Sequence, residues 1–313
     1  MTKSKSFEFF RDRLGRKWIN SSVVELMKKK SLPGETPPET IRRLARAMVA
    51  EAKALSWTEV PFDPELLAEL QGIEVGCADA DIKAEARLMP LPERRLRIEY
   101  ASVAPETRRR FSICHEIAHT FFPDCFEQTQ HRRQDQEHDP IHAELEQLCH
   151  IGAGELLMPV DEFAATSAGR TPDIFTAEEL SRQFNASHEA ALRRMVDLFE
   201  GACCLVWVSE RLKPVQQKNA GPEFDFGLPG PLRKLRVDYQ FGSPSWQTFI
   251  PRHKSVPENS KLYGILNGLA YEDVEEDWTE LNLGRVHLQA VRSIHTDPDT
   301  KGVMVLLRQL NVA

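Results

Sequence analysis

Five residues in mid-chain carry the clearest chemical signal: His115-Glu116-Ile117-Ala118-His119, an HExxH sequence. On a helix, residues four apart share a face, so both imidazoles can point at one metal ion. Glu116 lies about 100° round the helix from His115, close enough to reach a water on that ion without having to ligate it. That is the arrangement of a general base beside a metal-activated water. Chance supplies roughly 0.03 such matches in a chain of this composition. Six of the ten histidines also crowd between His115 and His150. A metal site outweighs a satisfied structural pair of histidines.

Two histidines do not complete a catalytic zinc site, which takes three protein ligands and a water. A third His six residues after the second is absent, because Cys125 stands there and Phe122 replaces the midway Gly. The next strong helical run offers Glu144 and Glu146, two apart and therefore on different sides, so only one of them can reach the same ion. His150, four residues after Glu146, shares its face as a rival ligand or a partner behind the ligands. Gly152, Ala153 and Gly154 would let this helix pack close to the first.

The motif needs a helix to hold it, and the pattern predicts one from near Pro105 to Phe122, stopped by Pro123. Upstream, helices are expected over 7–30, 38–56 and Asp63–Leu70, the last closed by Gly72. Strands are expected at 73–75 and 96–100, the second after a Pro-rich turn at Pro90 to Pro92. Residues 124–140 read mostly as loop and 141–157 as helix. Over 176–200 two helices follow, the first opened by a Thr176/Glu179 capping box, the second capped by Ser187 after a turn at Asn185-Ala186. From 202 the texture is that of strands: 203–208, 235–239, 286–294 and 303–310.

A length of 313 points to two or three domains, and 41% hydrophobic with 28% charged residues excludes wholesale disorder. No apolar run approaches 18 residues and the first residues lack a signal-peptide core, so a cytoplasmic protein without membrane spans is expected. Six cysteines without a CxxC pair argue against a disulfide scaffold and against a four-thiolate zinc site. Residues 1–60 hold 13 Lys/Arg against 7 Asp/Glu, a net of +6, which leaves −13 for the rest of a chain of net −7. This reads as a solvated basic helical arm rather than a nucleic-acid reader.

A strand, then Arg109-Arg110-Phe111-Ser112-Ile113-Cys114 running into the HExxH, then Glu146 followed by Gly152-Ala153 and Leu156-Leu157-Met158-Pro159, resembles the ImmA/IrrE metallo-endopeptidases. The resemblance implies a third ligand ten residues before Leu156, which is Glu146 and not Glu144. The implied roles are His115, His119 and Glu146 as metal ligands and Glu116 as general base. Zinc is the implied ion, although a His/His/Glu set also accepts Mn2+ or Fe2+. Cys149-His150-Ile151-Gly152-Ala153 departs from the family's usual Asn/Ala-Phe-Ala and looks closer to the IrrE branch of bacterial radiation-response regulators.

The implied fold is α+β in four parts: a basic helical extension over 1–60, a zincin-like zinc metallopeptidase domain over 61–170, a helix-turn-helix-like segment over 171–201 and a mixed α/β GAF-like sensor domain over 202–313. The implied substrate is a helix-turn-helix repressor, cut so that stress-response and DNA-damage genes turn on. Within 176–200 three arginines stand against five acidic residues, a net of −2 that favours a structural or docking role over direct DNA reading. The rival is a non-catalytic DNA-binding regulator whose metal is structural. His131, His138 and His142 read as solvated loop histidines, with oxyanion stabilisation or gating as the sharper option. Tyr100 ends a strand that, at a sheet edge, could pair with an extended substrate. Cys114 and Cys149 read as buried inert thiols rather than oxidation sensors, and Cys203-Cys204 as strand neighbours that cannot pair with each other.

Overall fold

The computed structural model describes residues 17–55, 57–78, 82, 84–126, 140–167, 169–219, 232–293 and 302–310. Asn20 opens the first helix, α1 (Ser21–Lys30), its Oδ1 accepting from the amides of Ser22 and Val23 at 2.9 and 3.3 Å. A side-chain cap of this kind satisfies orphan donors of the first turn, so the helix starts here, and residues 17–20, expected inside a helix over 7–30, are not helical. The earlier part of that expected helix lies outside the described residues. In α2 (Pro37–Ala54), Pro37 occupies the first turn and the Glu39 carboxylate accepts from the Thr36 amide at 2.7 Å. Asp63 caps α3 (Pro64–Leu70), and Gly72, at φ +71°, turns the chain out of it.

Three strands follow: β1 (Ile73–Cys77), β2 (Ala86–Leu91) and β3 (Arg95–Tyr100). Their order is β1-β3-β2, with β1 parallel and β2 antiparallel to β3. Tyr100 therefore ends the central strand and not an edge strand. Pro90, expected in a turn, lies within β2, where an edge position tolerates a residue without an amide proton. Ile73, Leu88, Leu96 and Ile98 form the buried face of this sheet. Helices α4 (Glu106–His119), α5 (Pro140–Leu157) and α6 (Val160–Ser167) follow. Most of the stretch expected as loop before α5 lies outside the described residues.

The helical pair is α7 (Ile174–Gln183) and α8 (His188–Leu198). Asp173 accepts from the amides of Phe175 and Thr176 at 2.9 and 3.1 Å, so α7 opens before the Thr176/Glu179 box read from sequence. The chain divides into two compact units, Met1–Thr166 with Ser181–Ser187, and Ser167–Leu180 with His188–Ala313.

The second unit holds an all-antiparallel sheet of β4 (Cys203–Arg211), β5 (Lys234–Gly242), β6 (Tyr271–Asp277), β7 (Arg285–Ser293) and β8 (Gly302–Gln309), in the order β5-β4-β8-β7-β6. Short helices α9 (Pro214–Asn219) and α10 (Leu262–Leu266) connect its strands. One sheet face, with Val206, Val208, Val286, Leu288 and Val305, packs on α10 and on Trp278. Strand β6, of sequence YEDVEED, escaped the sequence reading because its acids mask a strand; as an edge strand it tolerates charge. The described residues form a mixed α+β protein with two sheets. Among the described residues no helix is long and apolar enough to cross a membrane.

Candidate metal centre

Helix α4 presents the motif from a well-buried stem. Ile113, Cys114, Ile117 and Ala118 are in the core, which leaves His115, Glu116 and His119 to be aimed by a fixed backbone. Glu116 is 5% exposed and His119 3%. The two imidazoles stand edge to face, 4.9 Å between centroids, with their Nε2 atoms 3.2 Å apart.

Helix α5 supplies the opposite wall. A Cβ on Gly152 would stand 2.8 Å from the Ala118 Cβ and 3.3 Å from Cε2 of Phe121, so the glycine is what lets α5 approach α4 this closely. A Cβ on Gly154 would meet nothing within 4 Å among the described residues, so that glycine has no such role. Across this contact Glu146 places Oε2 at 3.0 Å from Nε2 of His115 and Oε1 at 3.6 Å from Nε2 of His119. Ligands about 2.0–2.1 Å from a tetrahedral zinc lie roughly 3.3 Å from one another. The three separations, 3.0, 3.2 and 3.6 Å, straddle that edge length, so the donor set fits such an ion.

Glu144 has a different task. Its Oε2 accepts from the amides of Ile19 and Asn20, both at 2.8 Å, and so anchors the start of α1. His150 donates through Nδ1 to the Glu146 carbonyl at 2.7 Å and sets its ring 4.7 Å from that of His115. His142, read from sequence as a loop histidine, lies on α5 one turn before Glu146, with Nε2 at 3.2 Å from Glu146 Oε1. The four-residue spacing from Glu146 was the available signal for it. His131 and His138 lie outside the described residues.

Cys149 stands 3.2 Å from His119 through Sγ, and with His115 and His119 it forms a compact group of atoms within 4.8 Å. Its sulfur meets Nδ1, whereas Nε2 of the same ring faces His115 and Glu146. The two ring nitrogens point in divergent directions, so an ion on Nε2 leaves Cys149 behind the ring. The Nδ1 of His115 is buried without a hydrogen-bond partner among the described residues. Burial pushes the Cys114 thiol up to about 12 and that of Cys203 to about 11, and Cys203 and Cys204 remain unpaired thiols.

The first two helices are built into the same unit. Arg42 and Arg46 of α2 reach the fully buried Glu155 of α5 at 3.6 and 3.2 Å, and Lys53 pairs with Glu162 of α6. Lys30 donates to the Phe121 carbonyl at 2.9 Å, just beyond the motif helix. Ser22 donates to Asp124 at 2.7 Å.

Residues 68–196 match the family model Peptidase_M78, the IrrE N-terminal-like domain. The matched span takes in both site helices. No curated protein matches the chain. A solved structure, a Mycobacterium tuberculosis transcriptional regulator, is similar over 85% of this chain and 74% of that one, with TM-score 0.53 and 15% identity. At that identity the likeness is one of fold.

Proposed function

We propose that this protein is a zinc-dependent endopeptidase that cuts a helix-turn-helix transcriptional repressor and so releases stress-response genes, those of DNA damage among them. The observation that carries this reading is the convergence of His115 Nε2, His119 Nε2 and the Glu146 carboxylate at 3.0–3.6 Å, with Glu116 buried one residue along the same helix. The IrrE N-terminal-like domain over 68–196 supports it. A divalent ion on these three ligands would supply Lewis-acid polarisation of a scissile carbonyl and acidify a bound water.

Glu116 then takes the proton of the attacking water and delivers it to the amine nitrogen that leaves. Its burial keeps the carboxylate close to the reaction and away from bulk water. The substrate backbone is held extended along the outer edge of β2, the edge strand that packs on α4. Residues 171–201 act as a helix-turn-helix-like docking segment and 202–313 as a GAF-like sensor domain that gates cleavage, in a cytoplasmic protein.

The test uses the purified full chain, zinc and the helix-turn-helix repressor encoded beside its gene. The parent cleaves the repressor between its DNA-binding and oligomerisation parts, and Glu116→Gln loses about 10²–10⁴ of the rate. Equal cleavage by Glu116→Gln overturns the mechanism. No cleavage by either, with salt-dependent DNA binding by both, replaces the peptidase with a DNA-binding regulator.

A further inference from the structure

We infer that Cys149 is a positioning residue of the metal centre: its sulfur accepts the Nδ1 proton of His119 and so holds that imidazole with Nε2 free for the ion. The inference rests on the metal-site reading above. An imidazole that ligates through Nε2 carries its proton on Nδ1, and a ring that is 3% exposed needs an acceptor for it inside the protein. Cys149 Sγ lies 3.2 Å from that nitrogen and is itself fully buried.

The helical geometry shows how one element does both jobs. Glu146 and Cys149 are three residues apart on α5, and the His119 ring lies between them, Oε1 at 3.6 Å from Nε2 and Sγ at 3.2 Å from Nδ1. Residues at this spacing project from neighbouring points of one helix face. One turn of α5 thus brings a ligand to the front of His119 and a brace to its back. Gly152, one position short of a further turn, keeps α5 close enough to α4 for both contacts.

The test compares the full-length parent with Cys149→Ser, which keeps an acceptor, and with Cys149→Ala and Cys149→Val, which do not. Zinc affinity is read by competition with a chelator, and the ligand set by the absorption spectrum of the cobalt(II) form. Cys149→Ala and Cys149→Val should bind zinc about 10–100-fold more weakly, and Cys149→Ser within about threefold of the parent. The cobalt spectra of parent and Cys149→Ser should match and lack a thiolate-to-cobalt charge-transfer band. Circular dichroism of the zinc-free proteins checks that each variant folds, and the two apolar variants guard against one failing to do so.

Equal zinc affinity in the parent and either folded apolar variant overturns the positioning role and leaves the metal centre standing. A charge-transfer band that disappears in Cys149→Ser overturns it in another way, by making Cys149 a ligand. A parent that binds no zinc at all brings down the metal-site reading itself.

Discussion

The candidate metal centre and the polar cluster at one end of the C-terminal sheet are both built from buried and half-buried polar groups, yet they are wired in opposite ways. In the cluster, Arg211 donates to Asp238, to the Val237 carbonyl, to Nδ1 of His253 and to Ser209, at 2.7, 3.0, 2.7 and 3.2 Å. Arg236, 3% exposed, donates to the carbonyls of Arg211 and His253. Donors there face acceptors and the network closes on itself. In the first unit, two imidazole nitrogens and a carboxylate face one another; in the tautomers with both Nε2 atoms unprotonated they form a set of acceptors that a cation between them would satisfy. A buried polar cluster that closes is holding the fold, and one that converges on a shared point is available for chemistry.

The largest effect expected from that contrast is in the closed cluster. Asp238→Ala removes the carboxylate that balances the half-buried Arg211 guanidinium and should cost about 3 kcal/mol of unfolding free energy, read by urea denaturation, with zinc affinity unchanged. Next comes the open cluster, which should gain stability from its ion. Zinc at 100 times its dissociation constant should add about 2.7 kcal/mol, visible as a rise in melting temperature that a chelator reverses. In Asp238→Ala that gain should persist in full, because the two clusters share no residue.

Gly152→Ala tests the helix contact behind the centre. The new methyl, 2.8 Å from the Ala118 Cβ, should cost about 1–2 kcal/mol despite the better helix propensity of alanine, and should weaken zinc binding. The smallest effect is a pH slope. Burial, and then Arg211 and Arg252, hold His253 below the usual histidine range, with Arg236 adding to them and Asp238 opposing. The unfolded chain therefore takes up this proton at higher pH than the folded one, and stability should fall as pH drops below about 6.5. His253→Asn should flatten that slope in denaturation curves measured between pH 7 and 5.

The two regions also differed in how far they could be read from sequence. His115, Glu116 and His119 were legible because a helix repeats every 3.6 residues and the motif needs nothing else. Glu146 was not legible from periodicity alone, since Glu144 is equally acidic and nearby. The resemblance selected Glu146, and Glu144 has a separate occupation at the amides of Ile19 and Asn20. His142 was misplaced because its polar neighbours outweighed its spacing from Glu146. Strands β2 and β6 were missed for a shared reason: both are edge strands, and Pro90 in one and the acids of the other are residues that only an edge accepts.

The charge contrast between the first 60 residues and the rest has a structural account in part. Arg42, Arg46 and Lys53 are not a free basic surface, since they are engaged by Glu155 and Glu162 of the helices behind the site. Arg43 is held by Glu35 at 2.6 Å, and Lys28 and Lys29 pair with Glu25 along α1. Complementary charge thus fastens α2 to the wall of the candidate metal centre, a purpose that a count of charges cannot reveal.

The measurement that bears most directly on the centre is zinc binding by the parent, Glu146→Ala and Glu144→Ala, titrated against a chelator of known affinity. One ion should bind the parent and Glu144→Ala alike, and Glu146→Ala should bind at least about 100-fold more weakly, as loss of one of three ligands demands. Loss of binding in Glu144→Ala with retention in Glu146→Ala would contradict the site.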